Sequence, residues 1–201
     1  MISTLSRKYD FDTVFDSQRV FRCILEAMSN PMRAVSICEY AKRLYGEHPA
    51  LLALAMTLLD NEVSFNTCGN DILSYEIASL TMARKTDVEA ADFVFCTENA
   101  PGVPHHDLAA VMYRAKPGTL SDPNKSATVI IHDDGEPAYR LTLSGPGING
   151  SAAVQVSQTM LEAIAMRDAQ NYEYPQGIDL LFVSSEGELL AVPRLVSEAI
   201  G

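Results

Sequence analysis

Between Asp12 and Met28 the apolar residues Val14, Phe15, Phe21, Ile24, Leu25 and Met28 recur at steps of three and four, and Asp10 or Asp12 stands where an N-cap is needed. This spacing predicts an amphipathic helix. Ser29-Asn30-Pro31 closes it, because a proline forces the residue before it out of helical backbone geometry, and Arg33 to Ile37 can run on as a short strand. A second helix starts at Pro49, which suits a first helical turn. Its Leu51, Leu52, Leu54, Ala55, Leu58 and Leu59 surround the axis, so the helix must be covered on most sides until Asp60-Asn61 ends it. A strand over Val63–Phe65, a turn and cap at Gly69-Asn70-Asp71, a helix carrying Ile72, Tyr75, Ile77, Leu80 and Met82, and a strand over Phe93–Cys96 follow. Helices alternating with short strands point to a sheet with helices packed on its faces.

The second half is richer in strands. Ala127–Ile131 and Tyr139–Leu143 flank the turn-forming stretch Asp133-Asp134-Gly135-Glu136-Pro137, which predicts an antiparallel hairpin. Ile178–Ser184 and Leu189–Val192, separated by Ser185-Glu186-Gly187-Glu188, predict another, and Val154–Met166 supplies a helix between them. The expected architecture is α/β: three α-β-α layers with a mixed sheet, in one domain over residues 1–201. Asn99–His106, with two prolines, reads as linker-like, and Lys116–Lys125 as a loop.

Composition narrows the function classes. Fifteen Lys and Arg against 26 Asp and Glu give a formal net charge of -11, and no basic run is present, so nucleic acid is not an expected partner. The run from Ala50 to Leu59 is too short for a bilayer, which needs roughly 20 apolar residues. The first residues carry charges without a following apolar stretch, so export is not expected. Cys23, Cys38, Cys68 and Cys96 are widely spaced and suit free, mostly buried thiols in a reducing cytoplasm.

Few constellations carry chemistry. Gly145-Pro146-Gly147-Ile148-Asn149-Gly150 fits the G-x-G-x-x-G spacing between a predicted strand and a predicted helix, where backbone amides can approach a phosphate. No acidic residue ends a following strand about 20 residues on, so a plain strand-to-helix turn is favoured over a phosphate contact or a dinucleotide site. His105-His106-Asp107 places adjacent imidazoles that diverge, which favours a solvated helix start over a metal site. His48 and His132 are isolated and read as structural. No Gly-x-Ser-x-Gly elbow is present, and Lys8, Lys42, Lys85, Lys116 and Lys125 all lie in polar or loop-like sequence, which disfavours a Schiff-base enzyme. Asp60, Asp71 and Asp179 adjoin apolar runs. Capping or turn roles account for Asp60 and Asp71. Asp179 is harder to place, with Arg194 or Arg22 as candidate partners, and a structural ion pair is favoured over a site.

Several segments in order resemble the PhnH family, the H subunit of the bacterial carbon–phosphorus lyase core complex. They are Gln18-Arg19-Val20-Phe21-Arg22 leading to Ala27-Met28-Ser29-Asn30-Pro31, then Leu58-Leu59-Asp60-Asn61-Glu62, then Arg140 to Ile148 with the glycine turn, then Tyr174-Pro175-Gln176-Gly177-Ile178-Asp179-Leu180 with Ala191-Val192-Pro193-Arg194. The resemblance covers about residues 10–196. It implies a fold similar to the large domain of pyridoxal-phosphate-dependent transferases with the cofactor site lost, no cofactor, a homodimer in isolation, and a peripheral place in an assembly with the G, I and J subunits. That assembly takes alkylphosphonate and ATP toward a ribosyl phosphonate triphosphate, before the J subunit cleaves the carbon–phosphorus bond with an iron–sulfur cluster and a radical. The four cysteines lack the clustered spacing of an iron–sulfur centre, so a noncatalytic subunit is the expected role. No catalytic residue is carried over. Arg22, Asp60, Gly145, Gly147, Gly177, Asp179 and Arg194 are candidates for ligand or interface contacts. The alternative is an independent enzyme or binding protein for a phosphorylated small ligand at Gly145–Gly150, with Arg194 or Arg140 as the anion partner.

Overall fold

The first helix, α1 (Phe15–Ser29), starts where Asp12 places it: the Asp12 carboxylate accepts the amides of Val14 and Phe15, both at 2.8 Å. In this computed structural model, which describes residues 9–97 and 108–199, α1 buries Val20, Ile24 and Ala27 and leaves Val14, Phe15, Phe21 and Leu25 in solvent. The helix thus carries two apolar stripes, and only Ile24 and the partly buried Met28 of the expected face join the core. Asp16 sits on the buried side. Its carboxylate accepts two bonds from the Arg43 guanidinium, at 2.8 and 2.9 Å, and one from the Asp12 amide at 2.9 Å.

After α1 come β1 (Val35–Ser36), the single turn α2 (Cys38–Ala41) and α3 (Pro49–Leu58). Ala50 to Ala55 are all buried in α3, as its all-round apolar pattern demands. β2 (Ser64–Asn66) leads to α4 (Asp71–Thr81), which is capped by Asn70 accepting the Leu73 amide at 2.9 Å. On α4 it is Leu73, Ser74 and Ile77 that are buried, while Ile72, Tyr75 and Met82 are exposed. The chain then forms β3 (Arg84–Lys85), β4 (Phe93–Cys96), α5 (Leu108–Arg114) and a 3-10 turn over Pro123–Lys125. The expected linker Asn99–His106 and the His105-His106-Asp107 motif lie outside the described residues.

The next segment corrects the predicted hairpin. β5 (Thr128–His132) does not pair with β6 (Tyr139–Ser144) but lies parallel between β4 and β8 (Asp179–Val183). The reason is in the residues: Val129 to His132 are buried without a break, as a central parallel strand requires, whereas β6 buries Leu141 and Leu143 and leaves Tyr139 and Arg140 exposed. The partner of β6 is β7 (Ser151–Val156), in register from Tyr139 opposite Val156 to Ser144 opposite Ser151. The beginning of the predicted helix Val154–Met166 is therefore strand. The helix itself, α6 (Gln158–Asp168), starts after Ser157, whose Oγ accepts the Met160 amide at 3.0 Å. The second predicted hairpin forms as expected, with β8 antiparallel to β9 (Glu188–Val192), and β10 (Ser197–Glu198) closes the chain.

The large sheet runs β1-β9-β8-β5-β4-β2-β3, parallel from β8 to β3 and antiparallel at its β9 and β1 end, so it is mixed. Alternate residues of its strands feed two cores. Phe95, Ile130 and Leu181 pack under the layer of α1, α3 and α4, and Val94, Val129, Ile131, Leu180 and Phe182 pack with α5, α6 and the small sheet β10-β6-β7. The described residues thus form a mixed α/β fold with six helices.

Candidate functional site

In open α/β sheets, binding crevices lie beyond the carboxyl ends of the parallel strands, where side chains need not fill a core. The ends of β5 and β8 meet that description. Beyond them a cavity of about 410 Å³ is bounded by Asp133 and Asp134 after β5, Ser184 after β8, Glu188 and Leu190 of β9, Gln155 of β7, and Ser157 and Met160 at the start of α6. Asp133 is buried, and both of its oxygens are engaged: Ser157 Oγ donates to one at 2.6 Å and the Gly135 amide to the other at 3.0 Å. A Cβ at Gly135 would lie 2.9 Å from Asp133 Oδ1 and from Ser157 Cβ, so a larger residue there would have to displace the Asp133–Ser157 pair. Three carboxylates and two hydroxyls around apolar walls repel a phosphate or phosphonate and suit an organic cation or a hydroxyl-rich group.

On the opposite face of the β5 end, His132 Nε2 lies 3.0 Å from Ser185 Oγ, and Ser185 Oγ lies 2.5 Å from Asp134 Oδ2. The Ser185 amide donates to Asp134 Oδ1 at 2.7 Å. Burial works against the Asp134 charge, but the side-chain and backbone bonds from Ser185 outweigh it and hold the carboxyl below its ordinary range, with His132 and His48 adding to the effect. Serine, histidine and aspartate are together here, yet not as a nucleophilic triad. The carboxylate itself accepts the serine hydroxyl's hydrogen bond and lies 3.6 Å from the same Nε2, whereas a triad aspartate orients the imidazole from Nδ1. His48 stacks edge-on at 5.2 Å between ring centroids, and Nδ1 of both rings is buried without a hydrogen-bond partner among the described residues. Burial first, and the neighbouring His132 second, push the His48 pKa down, so the ring is neutral near neutral pH. Among the described residues no group of three or more His, Cys, Asp or Glu is disposed to hold a metal ion.

The residues singled out from sequence fall elsewhere. Asp179 opens β8 and pairs with Arg194: the Arg194 amide donates at 2.8 Å, Nε at 3.3 Å and a terminal nitrogen at 2.5 Å, while the other terminal nitrogen donates to the Pro123 carbonyl. Gly177 lies against the same arginine, at φ +149°, with 2.9 Å between its would-be Cβ and Arg194 Cβ. These three residues come together around an ion pair. Gly145 and Gly147 sit in the β6–β7 hairpin turn, not ahead of a helix, so no helix N-terminus backs the G-x-G-x-x-G spacing. Instead the tip packs closely: a Cβ at Gly147 would meet Pro31 Cδ at 2.8 Å and the Ser29 carbonyl at 2.9 Å. Asp60 is exposed and its carboxylate caps a turn by accepting the Glu62 amide at 2.9 Å, and Arg22 is exposed on α1. The sequence reading missed the Asp133–Ser157 and Asp134–Ser185–His132 connections. The available signal was polar residues immediately following apolar β5 and β8.

With this geometry in view, the comparisons with known proteins place the chain. The family described as bacterial phosphonate metabolism protein (PhnH) matches residues 10–198. The chain belongs to this family. It is also 30% identical over 181 residues to the putative C-P lyase subunit protein HtxG of Stutzerimonas stutzeri, covering 88% of this chain and 83% of that relative. Membership of this family places the chain in bacterial phosphonate metabolism. No helix among the described residues is long and apolar enough to cross a membrane.

Proposed function

We propose that the chain is a noncatalytic subunit of the cytoplasmic carbon–phosphorus lyase core complex. It is a homodimer in isolation and joins the G, I and J subunits, which convert alkylphosphonate and ATP toward a ribosyl phosphonate triphosphate before bond cleavage. The single observation that carries this reading is family membership over nearly the whole chain. The surface agrees with it. Val14, just before α1, and Phe21 and Leu25 recur on one face at 68%, 44% and 49% exposure, with Phe15 beside them, an apolar row suited to a partner surface. The loop Lys116–Lys125, with Leu120 exposed, is a second contact element.

The proposed likeness to the large domain of pyridoxal-phosphate-dependent transferases, with its cofactor site lost, belongs to the same reading. Lys42, Lys85 and Lys125 are exposed, and Lys116 is held by Asp92 at 2.5 Å, so none of these amines is offered for a Schiff base. The test is growth on an alkylphosphonate as sole phosphorus source in cells lacking their own H subunit. Supplying this chain restores growth, and so do its Asp133→Asn variant at the cavity and its Ser185→Ala variant on the opposite face of the β5 end, since no bond is made or broken at either place. A variant that accumulates to normal levels in cells, carries an altered cavity and fails to grow would contradict the noncatalytic assignment.

A further inference from the structure

Cys68 and Cys96 are separated by 28 positions in the chain, yet their sulfurs are 3.6 Å apart. The fold brings them together because β2 and β4 are parallel neighbours, with Asn66 opposite Val94, and both cysteines sit where those strands end. Cys96 is the last residue of β4 and is 2% exposed, while Cys68 is half-buried in the turn leading to α4. The backbone holds Cys68 firmly. Its amide donates to Asn66 Oδ1 at 2.7 Å, and its φ is +51°, a conformation that glycine or asparagine adopts at lower cost than a cysteine.

We propose that Cys68 and Cys96 form a reversible oxidation site, in which a peroxide oxidises Cys68 and Cys96 then closes a disulfide that clips the ends of β2 and β4 together. The roles are set by environment. The hydrogen bond from Cys96 outweighs burial and, helped by the Arg114 guanidinium, lowers the Cys68 pKa, while the same bond and complete burial raise that of Cys96. Cys68 is half-buried where Cys96 is only 2% exposed, so the outer sulfur is the one a peroxide reaches and the inner one is the resolving thiol. In the first step the Cys68 thiolate attacks one peroxide oxygen. The O–O bond breaks, a sulfenic acid forms, and the departing oxygen leaves as hydroxide that takes a solvent proton to become water. In the second step the Cys96 sulfur attacks the Cys68 sulfur. The S–O bond breaks, and hydroxide leaves with the Cys96 proton as a second water. Two thiols lose two electrons to the peroxide, and a dithiol reductant reverses the change. Cys23 is less suited, because burial, followed by Glu26 and Glu39, raises its pKa.

The test treats the reduced full-length chain with hydrogen peroxide, alkylates the remaining thiols and maps peptides without reductant. A Cys68–Cys96 cross-linked peptide that disappears on dithiothreitol treatment is expected, with Cys23 and Cys38 alkylated. Before oxidation, Cys68 should alkylate at neutral pH roughly tenfold faster than Cys23. In Cys96→Ser the reaction stops at a Cys68 sulfenic acid that dimedone traps. Finding Cys68 and Cys96 both alkylated after peroxide, or Cys23 or Cys38 oxidised first, overturns the proposal.

Discussion

Asp179 offers the sharpest separation of a structural carboxylate from a functional one. In Asp179→Ala, Arg194 keeps its bond to the Pro123 carbonyl but loses its charge partner while its side chain is only 22% exposed. Removing one member of a buried pair costs about 3–5 kcal/mol, and the residual exposure of Arg194 argues for about 3. Of that, about 1 kcal/mol belongs to the Arg194 amide, which loses its acceptor at 2.8 Å, and about 2 to the uncompensated guanidinium. Asp179→Asn keeps an acceptor for the amide and should cost about 2 kcal/mol. Adding Arg194→Met to Asp179→Ala should recover about 2 kcal/mol, because the stranded charge leaves with its side chain. The assay is urea unfolding. With a slope of about 2 kcal/mol/M for a chain of this size, Asp179→Ala should lower the midpoint by about 1.5 M at unchanged slope. A midpoint shift below about 0.3 M, or an Arg194→Met change that adds to the loss, would refute this reasoning. So would a gain in stability, the mark of a carboxylate held for binding against its own stability.

Two further outcomes follow from the same geometry. Gly147→Ala should cost about 2 kcal/mol, since φ is +86° and the new methyl meets Pro31 and the Ser29 carbonyl, and a thermal melt within 1 °C of the parent would count against it. The His48 pKa is depressed in the folded state, so between the ordinary imidazole value of about 6.5 and the lower folded value the unfolded chain binds more protons. Its contribution is therefore complete above about pH 6.5 and is lost as pH falls below it. His48→Gln should flatten the decline in melting temperature between about pH 7 and pH 5, and an unchanged slope would remove His48 as its source.

Local signals were legible in the sequence where one element determined its own pattern. The cap at Asn70, the all-round apolar α3, the strand Phe93–Cys96 and the β8–β9 hairpin needed only neighbouring residues to specify them. Pairing was not legible in that way. β5 and β6 are separated by a short polar turn, so a hairpin was the local expectation, but the continuous burial of Val129 to His132 requires strands on both sides, which β4 and β8 supply from distant parts of the chain. The same limit hid the candidate site. His48, Asp134 and Ser185 meet only after α3, β5 and β8 have packed, and each looks unremarkable alone. The face of α1 failed for another reason: the helix has two apolar stripes, and periodicity does not say which one the core takes.

The central claim is assembly, and it is tested most directly by coexpressing the tagged chain with untagged G, I and J subunits, purifying on the tag and determining the mass of what is recovered. A stable complex containing all the partners is expected, reduced at least tenfold in yield when Val14 and Phe15 are both changed to aspartate, with the melting temperature of the isolated chain little changed because these side chains are 68% and 70% exposed. Recovery of the chain alone, as a monomer or dimer, would contradict the account.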